Sequence, residues 1–227
     1  MLKEGTYRHE LKYETDRDKA SVIRHALSPM LTADSHTAAD GSYIVKSLYF
    51  ETPYADDYTD KELGVQFRQK MRLRCYGGSD IYKMEIKSKN GDVATKYSVN
   101  LTKEQALQVA AGDYSCLPDM GATGTYIYYQ LMTKVYRPFV MVSYKRYPFT
   151  NPAGNFRLTF DTDIRYSVSA QSLFEDMQPT GLVTDKTIIE VKYDDFVPDW
   201  ITDCLLKTGV SAGESSKYAA ACRNIFD

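Results

Sequence analysis

The sequence lacks the segments that mark membrane proteins and secreted proteins. None of its 227 residues belongs to an apolar run near the ~20 residues that a helix needs to cross a bilayer. The first ten residues, MLKEGTYRHE, contain no apolar signal core. The four cysteines form no CxxC pair; they are Cys75, Cys116, Cys204 and Cys222. We therefore expect a cytoplasmic protein with free thiols, no disulfide framework, no zinc site and no direct membrane insertion.

Common catalytic motifs are also missing. The chain contains no Walker-type glycine loop, no kinase motifs and no nucleophile elbow, and its three histidines lack metal-ligand spacing. The formal net charge is −2, so there is no overall basic character and we expect no nucleic-acid partner. A site for a polyanion would have to come from local clustering of bases.

The chain has no internal repeat, no low-complexity segment and no long linker, so we expect one domain over residues 1–227. Nineteen tyrosines and nine phenylalanines favour strands. Period-two alternation predicts strands over 7–14, 43–51, 65–76, 81–89, 139–147, 156–164 and 187–193, with one more around Lys96 and Ser98. Helices are predicted over 17–27, 106–111, 125–135, 199–208 and 216–226. These elements indicate an α+β fold with an antiparallel sheet.

Charged residues alternate with apolar ones along several strands, most clearly over 65–76. One face carries Gln66, Arg68, Lys70, Arg72, Arg74 and Tyr76. The other face is apolar except for Gln69. Neighbouring bases on one face lie roughly 7 Å apart, from a rise of ~3.4 Å per residue. On a solvated sheet that repulsion is screened. Inside a closed barrel it is costly unless an anion such as phosphate, which arginine binds bidentately, offsets it. The alternation alone leaves both arrangements open.

Several short segments occur in an order that resembles a known family. They are Arg8-His-Glu-Leu-Lys-Tyr13, Ser47-Leu-Tyr-Phe-Glu-Thr52, Arg72-Leu-Arg74, Glu85-Ile-Lys87, Tyr144-Lys-Arg146, Arg157-Leu-Thr-Phe-Asp161, Glu190-Val-Lys-Tyr193 and Ser216-Lys-Tyr218. The set resembles the VTC domain of polyphosphate polymerases, within the CYTH-like triphosphate tunnel metalloenzymes. The resemblance implies an antiparallel closed β-barrel with a charged interior and helices packed outside.

The resemblance also implies a set of site residues. Those expected to bind phosphate are Lys12, Arg72, Arg74, Lys87, Lys96, Tyr144, Arg146, Arg157, Ser216 and Lys217. Four of them are expected to act in catalysis: Lys217, Arg72, Arg74 and Arg146. Glu190, with Glu10 as a second candidate, is expected to bind Mn²⁺ or Mg²⁺. Ser216 also suits the role of helix N-cap, and Glu10, Glu85 and Asp161 also suit ion pairing with nearby bases.

The first strand departs from the pattern of many tunnel enzymes. It reads Arg8-x-Glu10-x-Lys12 in place of Glu-x-Glu-x-Lys, which agrees better with the VTC branch than with the triphosphatases. The expected activity is metal-dependent transfer of the ATP γ-phosphoryl group to pyrophosphate or polyphosphate. Two alternatives stay open: hydrolysis of triphosphate or polyphosphate, and a polyphosphate-binding module without turnover that serves a membrane or kinase partner.

Overall fold

A computed structural model describes residues 9–34, 37–77, 79–91, 93–151, 155–175, 181–210, 212–213 and 215–226. Arg8 and the start of the first predicted strand lie outside the described residues. The strands are β1 (His9–Thr15), β2 (Thr32–Ala33), β3 (Tyr43–Glu51), β4 (Phe67–Tyr76), β5 (Tyr82–Asn90), β6 (Val93–Leu101), β7 (Arg137–Asn151), β8 (Phe156–Ser167), β9 (Gly181–Thr184) and β10 (Thr187–Tyr193). The α-helices are α1 (Arg17–Leu27), α2 (Asp56–Glu62), α3 (Lys103–Ala110), α4 (Gly121–Thr133), α5 (Asp199–Lys207) and α6 (Lys217–Phe226).

All described strands belong to one antiparallel sheet. Its hydrogen-bonded order is β1-β10-β8-β7-β3-β4-β5-β6, with β2 added to β7 and β9 added to β8. The prediction of an α+β fold with an antiparallel sheet is thus confirmed. Three register shifts, one in β3–β7, one in β7–β8 and one in β8–β9, interrupt the ladders. Such irregularities bend a strand and increase its twist.

The sheet is strongly curled, but it is not the closed barrel that the sequence analysis predicted. Glu10 on β1 lies 3.3 Å from Lys87 on β5, although six strand-to-strand steps separate these strands along the sheet. Among the described residues, β1 and β6 remain the two ends of the hydrogen-bonded path. Across the concave side these distant strands meet through side chains, since Glu10 pairs with Lys87 while no backbone ladder joins β1 to β5 or β6 among the described residues.

The convex face of the sheet is apolar and is covered by helices in two places. Leu73, Met84 and Ile86 pack with residues of α3 and α4, such as Val109 and Leu131. A second cluster joins β1, β8 and β10 to α1 and α5. Helix α3 begins with the predicted capping box, because Thr102 and Gln105 bond each other's backbone N–H groups. These four helices lie outside the sheet, as expected.

Helix α6 departs from that expectation because it packs on the concave face. Its Tyr218 and Cys222 join Tyr49, Val142 and Ile188 in a third cluster. These strand residues share their face with charged residues of the same strands, so the concave face has an apolar part and a charged part. The apolar part binds α6, and the charged part stays available.

Neither membrane spans nor disulfides are found in the described part of the chain. No described helix combines the length and the apolar character needed to cross a bilayer. All four cysteines are free thiols, two of them buried.

Candidate active site on the concave face

The curl of the sheet brings bases from distant strands onto one concave surface. Arg72 and Arg74 project from β4, Arg146 from β7, and Lys12 from β1, while Lys217 opens α6. The two-residue side-chain period explains this arrangement, since alternate residues of each strand point to the same face. The basic face predicted for residues 65–76 therefore lies inside the curl and not on a solvated outer surface.

Asp161 ties two of these bases together. Arg146 donates two hydrogen bonds to its carboxylate, at 2.6 and 2.7 Å, and the Lys217 ammonium lies 2.7 Å away. The Asp161 side chain is fully buried. Burial alone raises the pKa of Asp161, but Arg146 and Lys217 outweigh it and hold the pKa below its usual value. Asp161 therefore holds the Arg146 guanidinium, from the sheet, and the Lys217 ammonium, from α6, side by side.

Glu85 plays the same role on the opposite wall. Arg72 donates to its carboxylate through Nε at 2.8 Å and Nη2 at 2.7 Å, and Lys96 forms a close ion pair with the other oxygen. Burial raises the pKa of Glu85, but Arg72 and Lys96 lower it to about 2. Glu85 is therefore ionised at neutral pH and orients two bases toward the interior.

Arg74 is only partly satisfied by the protein. One end of its guanidinium donates to the Tyr144 hydroxyl, but its buried Nε has no partner among the described residues. The hydroxyls of Ser47 and Thr159, on the same face, are also buried without a described partner. Buried polar groups in native proteins nearly always have partners. These atoms are therefore positions where a ligand oxygen or water belongs.

A cavity of about 520 Å³ opens beside these bases, between β1, β4 and β5. Lys70 lines it and donates a 2.7 Å hydrogen bond to Ser216 Oγ. Burial, together with repulsion from Lys12, Lys61, Lys87 and Arg72, lowers the pKa of Lys70 to about 7. No carboxylate lies within ion-pair distance of Lys70 in the described part of the chain.

Lys70 is a candidate site residue that the sequence reasoning missed. The alternation over 65–76 had placed it on the basic face, but the resemblance assigned it no role. The sequence feature that could have identified Lys70 was its position between Arg68 and Arg72 on one strand face.

Ser216 has the N-cap role that the sequence suggested, and its predicted contact with phosphate stays a prediction. Its Oγ accepts from the backbone N–H of Ala219 at 3.2 Å, which caps α6, and it also accepts from Lys70. Lys12 donates to the carbonyl of the preceding Ser215 at 3.3 Å. The start of α6 is thus held between β1 and β4, next to the bases.

Two other residues that were predicted to bind phosphate lie further from the centre of the concave surface. Arg157 bonds Asp34 at 3.2 Å and Tyr43 at 3.0 Å, so it does not join the Asp161 or Glu85 clusters. The Lys87 side chain is 44% exposed and pairs with Glu10. Both face the concave side, but they belong to its rim.

Glu190 and Glu10 have the chemistry expected of a divalent metal site. Lys12 lies directly opposite Glu190 on the β1–β10 ladder and pairs with Glu10 at 3.0 Å, and Glu190 is buried. Burial raises the pKa of Glu190, but Lys192, Lys12 and Arg146 outweigh it and hold the pKa well below its usual value. The described residues contain no group of three or more Asp, Glu, His or Cys side chains suited to a metal ion. Two carboxylates suffice for Mg²⁺, which typically takes one or two protein carboxylates and completes its shell with phosphate oxygens and water.

Comparison with known proteins identifies the family. The VTC domain family matches residues 7–226 of this chain, so the protein belongs to that family. A search of curated proteins found no match.

Several solved structures resemble this protein in fold. One from Bacillus halodurans, provisionally described as an adenylate cyclase, is 12% identical, with a TM-score of 0.55 over 95% of this chain and 96% of the other. One from Hippeastrum, described as having dominant triphosphatase activity, is 13% identical, with a TM-score of 0.53 over 92% of each chain. One from Vibrio parahaemolyticus is 13% identical, with a TM-score of 0.52 over 96% of this chain and 99% of the other. At these identities the likeness shows the fold alone, and it agrees with the expected α+β fold built on an antiparallel sheet.

Proposed function

We propose that this protein is a polyphosphate polymerase that transfers the γ-phosphoryl group of ATP to the end of pyrophosphate or a phosphate chain. The observation that carries the proposal is the convergence of Arg72, Arg74, Arg146 and Lys217 on one concave surface, with buried carboxylates orienting three of them. Membership of the VTC family supports the same substrate class.

The reaction needs no protein nucleophile. A terminal oxygen of the acceptor phosphate attacks the γ-phosphorus, the bond from that phosphorus to the β–γ bridging oxygen breaks, and ADP leaves. The protein contributes positioning and neutralisation of the charge on the transferred group. Arg72 and Arg74 bind the phosphates from one wall, and Arg146 and Lys217 bind them from the other.

Lys217 has the strongest claim to the reacting group. It stands at the first turn of α6, where backbone N–H groups and the helix dipole also favour an anion. Its side chain is 14% exposed, and its ammonium lies 4.9 Å from the centre of the Tyr144 ring. Asp161 holds it in place, so it needs little reorganisation as charge develops.

Glu190 and Glu10 would hold Mn²⁺ or Mg²⁺ against the phosphates. Such an ion neutralises phosphate charge and polarises the phosphoryl group. Arg146, 3.5 Å from Glu190, and Lys192, 3.1 Å from it, keep this carboxylate ionised and oriented.

The test is a synthesis assay. Incubated with ATP, Mn²⁺ and pyrophosphate, the protein should produce ADP together with phosphate chains that resolve on a gel. Lys217→Ala should slow chain synthesis by about a hundredfold or more, the loss typical of removing one preorganised charge-stabilising group. ATP that stays intact while polyphosphate binds would favour the binding-module alternative.

Hydrolysis of triphosphate is the second candidate, because α6 occupies part of the concave face. A substrate held against Lys217 then has one side blocked by the helix, an arrangement that suits a short substrate better than a long product. Release of inorganic phosphate from tripolyphosphate, with no chain growth under the assay above, would decide for hydrolysis.

The proposed reaction implies the substrates and the cellular location. The substrates would be ATP, pyrophosphate and polyphosphate, with no nucleic acid. We place the protein in the cytoplasm, where ATP is abundant and where its four free thiols would stay reduced.

A further inference from the structure

Base-against-base pairs follow one another at the outer end of the basic surface. On β4 and β5, Arg74 lies opposite Lys83 and Arg72 lies directly opposite Glu85, so the Arg72 pair is neutral. One step outward, Lys70 lies opposite Lys87, and at the next step Arg68 lies opposite Lys89. Two successive cross-strand pairs are therefore base against base.

Like charges directly opposite each other destabilise a sheet. Lys87 relieves part of this by pairing with Glu10, and Arg68 donates to the Val65 carbonyl at 3.0 Å. Lys89 has no ion-pair partner among the described residues. The repulsion at the outer pair is thus left for something outside the described chain to offset.

These side chains line an actual space. Among the described residues, the wall of the cavity of about 520 Å³ has six bases, namely Lys12, Lys61, Arg68, Lys70, Lys87 and Lys89, and one carboxylate, Glu10. The whole chain has a net charge of −2, so this excess of bases is local. A cavity walled by one sign of charge concentrates ions of the other sign.

The position of the cavity indicates which part of a ligand it would hold. Arg68 is four residues outward from Arg72 on the same face of β4, or roughly 14 Å at ~3.4 Å per residue. Phosphates bound by Arg72, Arg74 and Arg146 would fill the interior. Arg68 and Lys89 can then be reached only by a ligand that extends outward past Lys70.

We propose that Arg68 and Lys89 form an outer subsite that binds the distal phosphates of a long polyphosphate chain and so selects long chains over triphosphate. The inference rests on the proposed function, because it assumes that phosphates occupy the interior. It adds a chain-length preference and assigns it to two residues outside the reacting centre.

The experiment compares two ligands and two double variants. Dissociation constants for tripolyphosphate and for a long-chain polyphosphate are measured by calorimetry with the wild type, with Arg68→Gln/Lys89→Gln, and with a control, Lys19→Gln/Lys103→Gln. The control removes the same net charge from exposed positions on α1 and α3. Circular dichroism and thermal unfolding of each variant confirm that it folds.

The outer variant should bind the long chain about tenfold more weakly, as expected for loss of charge-assisted hydrogen bonds, and tripolyphosphate within about twofold of wild type. Its affinity for the long chain should also depend less steeply on salt, because fewer counterions are released. The control should match the wild type on both ligands.

Three results would overturn the inference. Unchanged long-chain affinity in the outer variant rules out the contact. Equal losses for both ligands show a general electrostatic effect and no chain-length subsite. Failure of the wild type to bind either ligand contradicts the proposed function and therefore the subsite as well. This outcome is distinguishable from the other two because it is seen with the wild type alone.

Discussion

Lys70 should take up a proton when phosphate binds. Burial and four neighbouring bases lower its pKa from 10.5 to about 7. The charged form of Lys70 is disfavoured in the folded protein, so this penalty on stability is present below pH 7. It is relieved as pH rises from 7 towards 10.5, at about 1.4 kcal/mol per pH unit. A polyanion placed beside Lys70 supplies the missing opposite charge and returns the pKa towards its ordinary value.

The magnitude can be worked out at pH 8. With a pKa of about 7, Lys70 is about nine-tenths neutral in the free protein. If the pKa in the complex returns to near 10.5, binding takes up roughly 0.9 proton. Affinity should then fall by up to about tenfold per pH unit between pH 7 and pH 10. Any titration of the phosphate ligand in this range makes it more negative as pH rises, which would strengthen its binding to bases, so the ligand itself does not produce this trend.

Calorimetry in buffers of different ionisation enthalpy measures the uptake. At pH 8 the wild type should show roughly 0.9 proton per tripolyphosphate bound, and Lys70→Gln should show little uptake and a flatter pH profile. Binding by the wild type without proton uptake, or the same uptake in Lys70→Gln, would refute the assignment of Lys70 to the anion site.

Three further predictions address the walls of the site. Arg72→Ala should weaken tripolyphosphate binding by about tenfold to a hundredfold, the equivalent of a 1.5–3 kcal/mol charge-assisted hydrogen bond; calorimetry with Lys103→Ala as control checks this, and unchanged affinity would count against direct contact. Glu190→Gln should fold normally but lose most turnover with Mn²⁺, and full activity in the variant or in EDTA would show that the metal role is misassigned. The free energy of unfolding should fall by about 3 kcal/mol as pH drops from 4.5 towards 2, because Glu85 has its pKa lowered to about 2 and its stabilisation is present above 4.5. Urea titrations of wild type and Glu85→Gln across that range test it, and parallel curves would contradict it.

The strands were predictable because alternation is strong in their sequences. Predicted strand 43–51 and helix 17–27 match β3 and α1 to the residue, and the pattern over 65–76 identified the basic face of β4. Gln69, the exception on its apolar face, is explained by a partner distant in sequence. It donates to the Tyr136 hydroxyl at 2.6 Å, which in turn donates to Asp57. No local pattern could supply that partner.

Closure of the sheet and the position of α6 could not be predicted. Whether β1 pairs with β6 depends on how far the whole sheet curls, which is a tertiary property that no local pattern encodes. Short elements were also missed. Helix α2 has seven residues and owes its start to Glu51, whose carboxylate accepts from the backbone N–H groups of Asp57 and Tyr58. Such capping from a neighbouring strand leaves no periodic signal.

Within the site, the sequence indicated which residues carry charge but not which carboxylate pairs with which bases. Glu85 and Asp161 were candidates for ion pairing, and each orients two bases. Arg157 was expected beside Arg72 and Arg74, but its side chain bonds Asp34 and Tyr43. The roles of the site residues in binding and catalysis stay predictions until a ligand is seen.

The most direct test is a crystal structure of the protein with tripolyphosphate and Mn²⁺. The account predicts phosphate oxygens within hydrogen-bonding distance of Arg72, Arg74, Arg146 and Lys217, and anomalous density for Mn²⁺ at Glu190. Tripolyphosphate bound on the convex face, or density for it only at exposed lysines while the concave surface holds water, would contradict the central claim.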